Sequence, residues 1–303
     1  MTCSIARLWT GLLLALLVTW GCAPDEGAGT GDRETAASGP GVTLTDDAGR
    51  SWSLDHPPER VVSLVPSATL LLLELGHGHR LAGRTDFDED PRIADLPSVG
   101  GGLGPSLEVL LSLRPDLVVR FEGPSDPETP RRLDQAGIPH LALRLDRVED
   151  ILRAAYLLDE ALGPRETPGE EPPRSEVLVR DITTTLEEVA MAVSGAARPR
   201  VGILLGGDPP WMASGDTYMG QVVSIAGGDN VFADEPRLYA PMSVEEVLRR
   251  RPEVLLLTEG ARIPPALRGI PVLRAPPALG KPGPDIGSTA WAVARLLHPE
   301  RVP

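Results

Sequence analysis

RSEVLVRDITTTLEEVAMAVSGAA, residues 174–197, reads as one long amphipathic helix. Leu178, Ile182, Leu186, Val189 and Val193 recur at spacings of four, four, three and four, the apolar stripe of a helix that buries one face. Pro172 and Pro173 precede the stretch, Ser175 is the expected N-cap, and Gly195 with Pro199 ends it. At ~1.5 Å per residue such a helix is a rod of roughly 30 Å, the width of a small domain. Its surroundings decide the fold, because the sequence is nearly the same on its two sides.

Before it stands SLEVLLSLRPD (106–116) and after it SVEEVLRRRPE (243–253). The two align without a gap at a constant offset of 137 residues (243 − 106 and 252 − 115). Each is followed by an apolar run, LVV (117–119) and VLLL (254–257), and each follows a β-like run beside an Arg, RVVSLV (60–65) and RVGILL (200–205). Solenoids repeat every ~20–50 residues, so this period describes two similar lobes instead. The alternative is a chance likeness of two helix–strand units, which resemble each other in any α/β protein. The expectation is an α/β fold of two similar lobes with mainly parallel sheets, residues 42–173 and 198–303, joined by the helix at 174–197.

Length and composition bound what such a fold can do. The 303 residues favour two domains, and an apolar fraction of 42% gives each a core. A net charge of −14 makes nucleic acid an unfavourable partner. With three Phe, five Trp and three Tyr, aromatics are scarce, so their positions are informative.

The first 21 residues read as an export signal: Arg7 is the basic residue, and Leu8 to Trp20 is apolar but too short to span a bilayer. Gly21–Cys22 at its end resembles a bacterial lipobox, although Thr19 and Trp20 depart from the usual pattern; plain secretion is the alternative. Acyl chains on Cys22 would hold the protein at a membrane surface. Cys3 and Cys22 are the two cysteines, so the processed chain has no thiol for a disulfide or a metal. Residues 22–41 read as a flexible tether.

From 42 onward strand and helix signals alternate. VTLTDDAGRSWSL (42–54) reads as a hairpin turning at Asp47–Gly49. Strands are expected at 61–66, 81–85, 115–119 and 138–143, with helices at 67–75, 106–113, 126–136 and 148–162. After the long helix come strands at VGILLG, VLLLT and IPVLRA, and helices at 217–226, after Ser243, and at 288–297. Such alternation implies parallel sheets covered on both faces.

The order RVVSLVPSATLLLLELG, LAGRTDFDEDP, SVG, SLEVLLSLRPDLVV, PPWMASGDTYMGQVVSIAGGDNVFAD and the second Ser-x-Glu helix resembles the helical-backbone substrate-binding proteins of ABC importers, over about residues 59–297. Within that family it is most similar to the vitamin B12-binding group, with ferric-siderophore and haem binders as relatives. The resemblance implies a ligand cleft between the lobes. It also implies transfer of a small metal chelate to a dimeric permease by a monomeric, lipid-anchored or secreted extracytoplasmic receptor with no prosthetic group.

Ligands of α/β sheets bind beyond the carboxyl ends of strands. Phe87, Phe121, Trp211 and Tyr239 are all expected in strand-end loops there, where flat rings would wall a large chelate. The plainer reading is that each ring packs down its own loop. Gly102 stands where the B12-binding pattern places a Trp. Glu108 and Glu245 occupy matching places in the first turns of the repeated helices, where a carboxylate is favoured by the helix dipole alone. The resemblance implies that they dock to cationic residues on the two copies of the permease subunit. An anionic siderophore would instead call for cationic clamps, for which Arg84, Arg120 and Arg237 are candidates.

Other chemistries have little support. His77 and His79 read as a solvated turn without a third metal ligand, and Asp86, Asp88, Glu89 and Asp90 lack EF-hand spacing. Neither Gly-rich stretch gives a nucleotide-binding fingerprint, and Ser214 lies in MASGD with no candidate His nearby. No catalytic residue and no metal site are expected, and an enzyme is not.

Overall fold

The computed structural model describes residues 42–123, 126–163 and 172–302. The expected signal, the tether, Cys22 and most of the connection leading into the long helix lie outside the described residues.

The hairpin forms as expected, with β1 (Val42–Thr45) antiparallel to β2 (Ser51–Leu54). Asp46 Oδ1 accepts from the N–H groups of Ala48 and Arg50 at 3.1 and 2.9 Å, and Gly49 takes φ +75°. This turn also closes the open edge of the first sheet. Asp47 N donates to Ala142 O at 3.0 Å. Asp46 Oδ2 accepts from Ala142 N at 3.1 Å, and Asp47 Oδ2 from Arg144 N at 2.6 Å.

The first sheet is built from β3 (Val61–Ser63), α1 (Pro66–Glu74), β4 (Leu81–Gly83), α2 (Leu107–Ser112), β5 (Leu117–Phe121), α3 (Glu128–Gln135), β6 (His140–Leu143) and α4 (Val148–Leu162). Its order is β4-β3-β5-β6, all parallel. β3 and β6 are buried at every position, as strands covered on both faces must be. After α5 (Arg174–Ala192), the second lobe contains β7 (Arg200–Gly206), β8 (Trp211–Ala213), α6 (Tyr218–Ile225), β9 (Asp229–Asn230), β10 (Tyr239–Pro241), α7 (Val244–Arg249), β11 (Val254–Leu257), β12 (Val272–Arg274) and α8 (Ile286–Leu297).

The second sheet runs β10-β8-β7-β11-β12, with β9 beside the start of β7. β9, β7, β11 and β12 are parallel, and β8 alone runs the other way, antiparallel to both β7 and β10. The sheet is therefore mixed rather than purely parallel, and the expectation of loops at Trp211 and Tyr239 is corrected: each opens a three-residue strand. Strands this short carry too few residues to show a period.

The duplication is visible in atomic detail. Arg60 donates to Leu113 O at the end of α2 (3.0 and 2.6 Å). Arg200 donates likewise to Arg251 O and Arg250 O at the end of α7 (3.2 and 2.6 Å). Asp116 and Glu253 accept from the N–H groups of Arg60 and Arg200, both at 2.9 Å. Arg114 and Arg251, also 137 apart, both end their helices at φ 48°, a left-handed position that glycine ordinarily takes.

α5 packs on α4, α6 and α8. Ile182, Leu186, Val189 and Val193 form its buried stripe, each worth roughly 1.5–3 kcal/mol if fully removed from water. They belong to one core that continues from Leu44 and Val61 through to Val201 and Val293, so the lobes share their interior. At Gly287 of α8 a Cβ would lie 2.9 Å from Thr185 Cγ2 of α5, and the missing side chain allows the close crossing. Two details of the expectation change. The N-cap is Pro173, with Ser175 already helical and buried, its N–H donated to Asp159 Oδ2 at 2.8 Å. The helix ends at Ala192 rather than continuing to 197.

His77 is likewise not a solvated turn residue. It is 6% exposed, and its Nε2 lies 3.0 Å from Asp159 Oδ1. Asp159 thus joins the end of α1 to the start of α5. His77 and Ser175 hold its carboxyl below the ordinary range against the opposing effect of burial.

Candidate functional site

The carboxyl ends of β4, β3 and β5 carry a loop whose polar side chains are spent on shaping it. Asp88 Oδ2 accepts from Thr85 N and Thr85 Oγ1 at 2.7 and 2.8 Å, and Thr85 Oγ1 accepts from Phe87 N at 3.2 Å. Asp86 Oδ1 accepts from Ser98 Oγ at 2.5 Å. Of the acidic cluster read from the sequence, Asp86, Asp88 and Asp90 shape the loop and Glu89 pairs with Lys281 of the second lobe, and no group of three or more metal-ligating side chains occurs among the described residues. The result is a Phe87 ring 64% exposed to solvent.

Gly101 and Gly102 lie against two of the expected rings. A Cβ at Gly101 would be 3.8 Å from Phe87 Cε2, and one at Gly102 would be 3.5 Å from Phe121 Cε2. The Gly102 position would also put Cβ 2.2 Å from Leu64 O. Backbone does not yield to such a contact, so no side chain fits at 102 as the loop stands. The loop at Gly102 thus lies directly against the end of β3. Phe121, the last residue of β5, remains 40% exposed.

On the second lobe Trp211 and Tyr239 share one face of the β8–β10 ribbon. Pro241 pairs with Trp211 and Tyr239 with Ala213, and residues opposite or two apart project to the same side. Met212 and Ala240, on the other face, are buried in a separate core. Trp211 is 44% exposed and Tyr239 half-buried. Next to Trp211, whose ring would lie 2.7 Å from a Cβ at Gly207, opens a cavity of about 690 Å³. It is lined by Leu205, Gly207, Val244, Ala261, Arg262 and Ile263 among others, at the carboxyl ends of β7 and β11. This is the end of a sheet at which α/β proteins bind ligands.

Each lobe thus brings together its own two rings. Across the lobes the contact runs through the turn after β6. Asp146 O accepts from Tyr218 N at 2.6 Å. Arg147 Nη2 reaches Asp216 Oδ2 at 3.4 Å, and Gln221 Oε1 accepts from Val148 N at 2.7 Å. Burial, together with the charge of Asp146, drives the Tyr239 phenol far above its ordinary pKa. Burial first, then the like charge of Asp150, raises the carboxyl of Asp146 itself. Sequence reading missed Asp146. Its signal would have been an acid directly after a buried strand, which is too common to stand out.

The three candidate cationic clamps are engaged with the protein. Arg120 is 7% exposed, donates Nε to His140 Nδ1 at 3.1 Å and Nη1 to Phe121 O at 2.8 Å, and pairs with Glu122. Arg237 pairs with Glu235 at 2.7 Å. Arg84 donates Nη1 to Thr85 O at 3.0 Å.

Glu108 and Glu245 are both exposed in the first turns of α2 and α7. Neither forms an ion pair with a described residue. The backbone N–H of Glu245 and the Ser243 hydroxyl hold the Glu245 carboxyl below its usual range, so it is charged at neutral pH.

The sequence profile of the periplasmic binding protein family matches residues 61–278. Bacillus subtilis YvrC, an ABC transporter substrate-binding lipoprotein, is 24% identical over 265 residues, 85% of this chain and 82% of that one. A vitamin B12-binding protein of Pectobacterium carotovorum is 31% identical over 205 residues, covering 66% of this chain and 71% of its own. Among solved structures, the apo periplasmic haem-binding protein RhuT of Roseiflexus is 26% identical and superposes with a TM-score of 0.64 over 80% of this chain and 98% of its own. A duplicated α/β unit about one shared helix, exposed rings at the strand ends and the profile match agree: this chain belongs to the periplasmic binding protein family and is a substrate-binding protein of an ABC transporter.

Proposed function

We propose that the protein captures cobalamin or another corrinoid between its lobes and delivers it to a dimeric importer permease. Phe87 and Phe121 on one side and Trp211 and Tyr239 on the other are the walls of the site. The observation that carries this reading is the exposure of three large rings at the strand ends of the two lobes. Large apolar side chains at strand ends are normally covered, and here Phe87, Phe121 and Trp211 are 64%, 40% and 44% exposed. An anionic chelate would need cations facing it; Arg120 serves protein acceptors, Arg84 and Arg237 each serve one, and Arg262 is the cation that lines the cavity beside Trp211. A corrin is broad, flat and close to neutral, and suits apolar walls.

Haem is the second reading, favoured by the likeness to RhuT. Two features oppose it. Haem carries two carboxylates, and the phenol of Tyr239 is held protonated by burial and by Asp146, which disfavours the phenolate that binds ferric iron.

Glu108 and Glu245 are proposed as the docking pair. Their equivalence under the internal repeat matches a partner with two-fold symmetry, and their exposure and charge match cationic sites on each half. Cys22 is proposed to be lipidated, which would place a monomeric receptor at an extracytoplasmic membrane surface. Calorimetric titration with cyanocobalamin, haemin and a ferric hydroxamate tests the ligand. Cyanocobalamin binding tightest is expected, and no response to any corrinoid removes the assignment.

A further inference from the structure

Asp146 occupies a turn of the first lobe whose backbone is fixed on both sides of the lobe contact. Asp150 Oδ2 accepts from Asp146 N at 3.2 Å and from Arg147 N at 3.0 Å, which locks the turn onto the first turn of α4. Asp146 O accepts from Tyr218 N at 2.6 Å, which locks it onto α6 of the second lobe. The neighbouring polar groups are also engaged: Arg147 with Asp216 and Glu149, and Gln221 with Val148 N and Glu149. The Asp146 carboxylate itself takes no hydrogen bond from any described residue.

What faces that carboxylate is mostly oxygen and ring. Tyr239 lies within electrostatic reach of it, and Tyr218, 4% exposed, is in turn near Tyr239. Asp150 adds a second negative charge, while Arg144 and Arg147 on its own turn act in the opposite sense. Asp146 follows β6 by three residues, and the last residue of β6, Leu143, pairs with Phe121. On the proposed cleft, whose walls include Tyr239, this carboxylate lies within electrostatic reach of one wall.

A carboxylate is an acceptor with no hydrogen to give. Half-buried and without a donor, it is stabilised by any N–H a ligand brings, and it repels any carboxylate placed beside it. Corrinoids carry acetamide and propionamide arms around the ring; haem carries two carboxylates. Resting on the cleft reading above, we propose that Asp146 is the specificity-determining acceptor of the site, which takes amide N–H donors from the rim of a neutral chelate and excludes chelates with carboxylate rims. Specificity then comes from a repulsive element as well as an attractive one.

The test titrates the full chain and its Asp146→Asn and Asp146→Ala variants with cyanocobalamin, haemin, ferrichrome (a neutral, amide-bearing ferric hydroxamate) and ferric enterobactin (a trianionic catecholate). Calorimetry reads affinity, and circular dichroism confirms that the variants fold. The wild type is expected to bind an amide-bearing chelate more tightly than haemin. In both variants the ratio of the two affinities should fall at least about tenfold, mostly through weaker binding of the amide ligand in Asp146→Ala and with tighter haemin in Asp146→Asn. If the wild type takes cyanocobalamin and the ratio does not change, the role of Asp146 is wrong and the corrinoid assignment stands. If it takes ferrichrome but no corrinoid, and the ratio falls as stated, the corrinoid assignment is wrong and the role of Asp146 stands. Preference of the wild type for haemin or ferric enterobactin, or failure to bind any of the four, overturns both.

Discussion

Removing the Trp211 ring should weaken ligand binding about tenfold. The side chain is 44% exposed, and an indole presents up to ~250 Å² when fully open, which leaves ~110 Å² for a ligand to cover. A stacked ring covers one face and part of an edge, about half of that. At ~25 cal/mol per Å² the ~55 Å² comes to about 1.4 kcal/mol, a factor of ten in Kd. Trp211→Ala also frees Gly207, whose backbone lies against the ring, so the loop lining the cavity relaxes and the loss can grow toward ~3 kcal/mol. Calorimetry, or the visible absorption of the chelate, measures the change without relying on tryptophan emission. Met191→Ala is the control, since Met191 is 68% exposed on the helix between the lobes and faces no proposed wall. An unchanged Kd for Trp211→Ala, or an equal loss in Met191→Ala, would refute the wall.

Glu108→Ala combined with Glu245→Ala should leave ligand affinity intact and abolish stimulation of the ATPase of the reconstituted cognate permease; retained stimulation would remove the docking role. Gly102→Ala forces a Cβ to within 2.2 Å of Leu64 O. The loop must shift at a cost of ~1–3 kcal/mol, lowering Tm by several degrees at roughly 2–4 °C per kcal/mol; a melting curve that overlays the wild type contradicts the close approach. His140 is fully buried, and its pKa is lowered, chiefly by burial, with Arg50 and Arg120 opposing the proton and Asp134 favouring it. The unfolded chain therefore binds the proton first, and stability contributed by neutral His140 is complete above pH ~6.5 and declines as the pH falls below it. His140→Gln should flatten that part of the urea-midpoint profile, and an unchanged slope would show that other groups carry it.

The His140 geometry also fixes which nitrogen holds the proton. Arg120 Nε can only donate to Nδ1 (3.1 Å), so Nε2 carries the hydrogen and donates to Asp134 Oδ1 (3.2 Å). Arg50 Nη1, 3.1 Å from Nε2, is then a close neighbour rather than a donor to it. Through Arg120 this neutral ring supports the carbonyl of Phe121.

Long periodic segments were legible before the structure. The stripe of α5, the Ser-x-Glu repeat and the unbroken apolar run of β11 each carry enough residues to be read. β8 and β10 were not legible, because three residues cannot show alternation and their partners are distant in sequence. Of the four rings, Phe87 lies in a loop as expected, Phe121 ends β5, and Trp211 and Tyr239 open strands instead of lying in loops. Their grouping into pairs depends on ribbon register and on the Gly101–Gly102 loop, which are tertiary. His77 and Arg120 were misread for one reason: a polar side chain reads as exposed until its partner, often far along the chain, is known. Asp159 is 82 residues from His77 and His140 is 20 from Arg120.

The turn of the first hairpin has a practical consequence. Its two aspartates and one backbone N–H satisfy the outer rim of β6. A shortened protein starting at Arg60, where the matched profile nearly begins, would strip that cover away. The naked rim would present a buried-type leucine strand with free amide groups, a template on which another molecule's strand can add. Such a fragment should precipitate or self-associate even though every ligand-facing residue is retained.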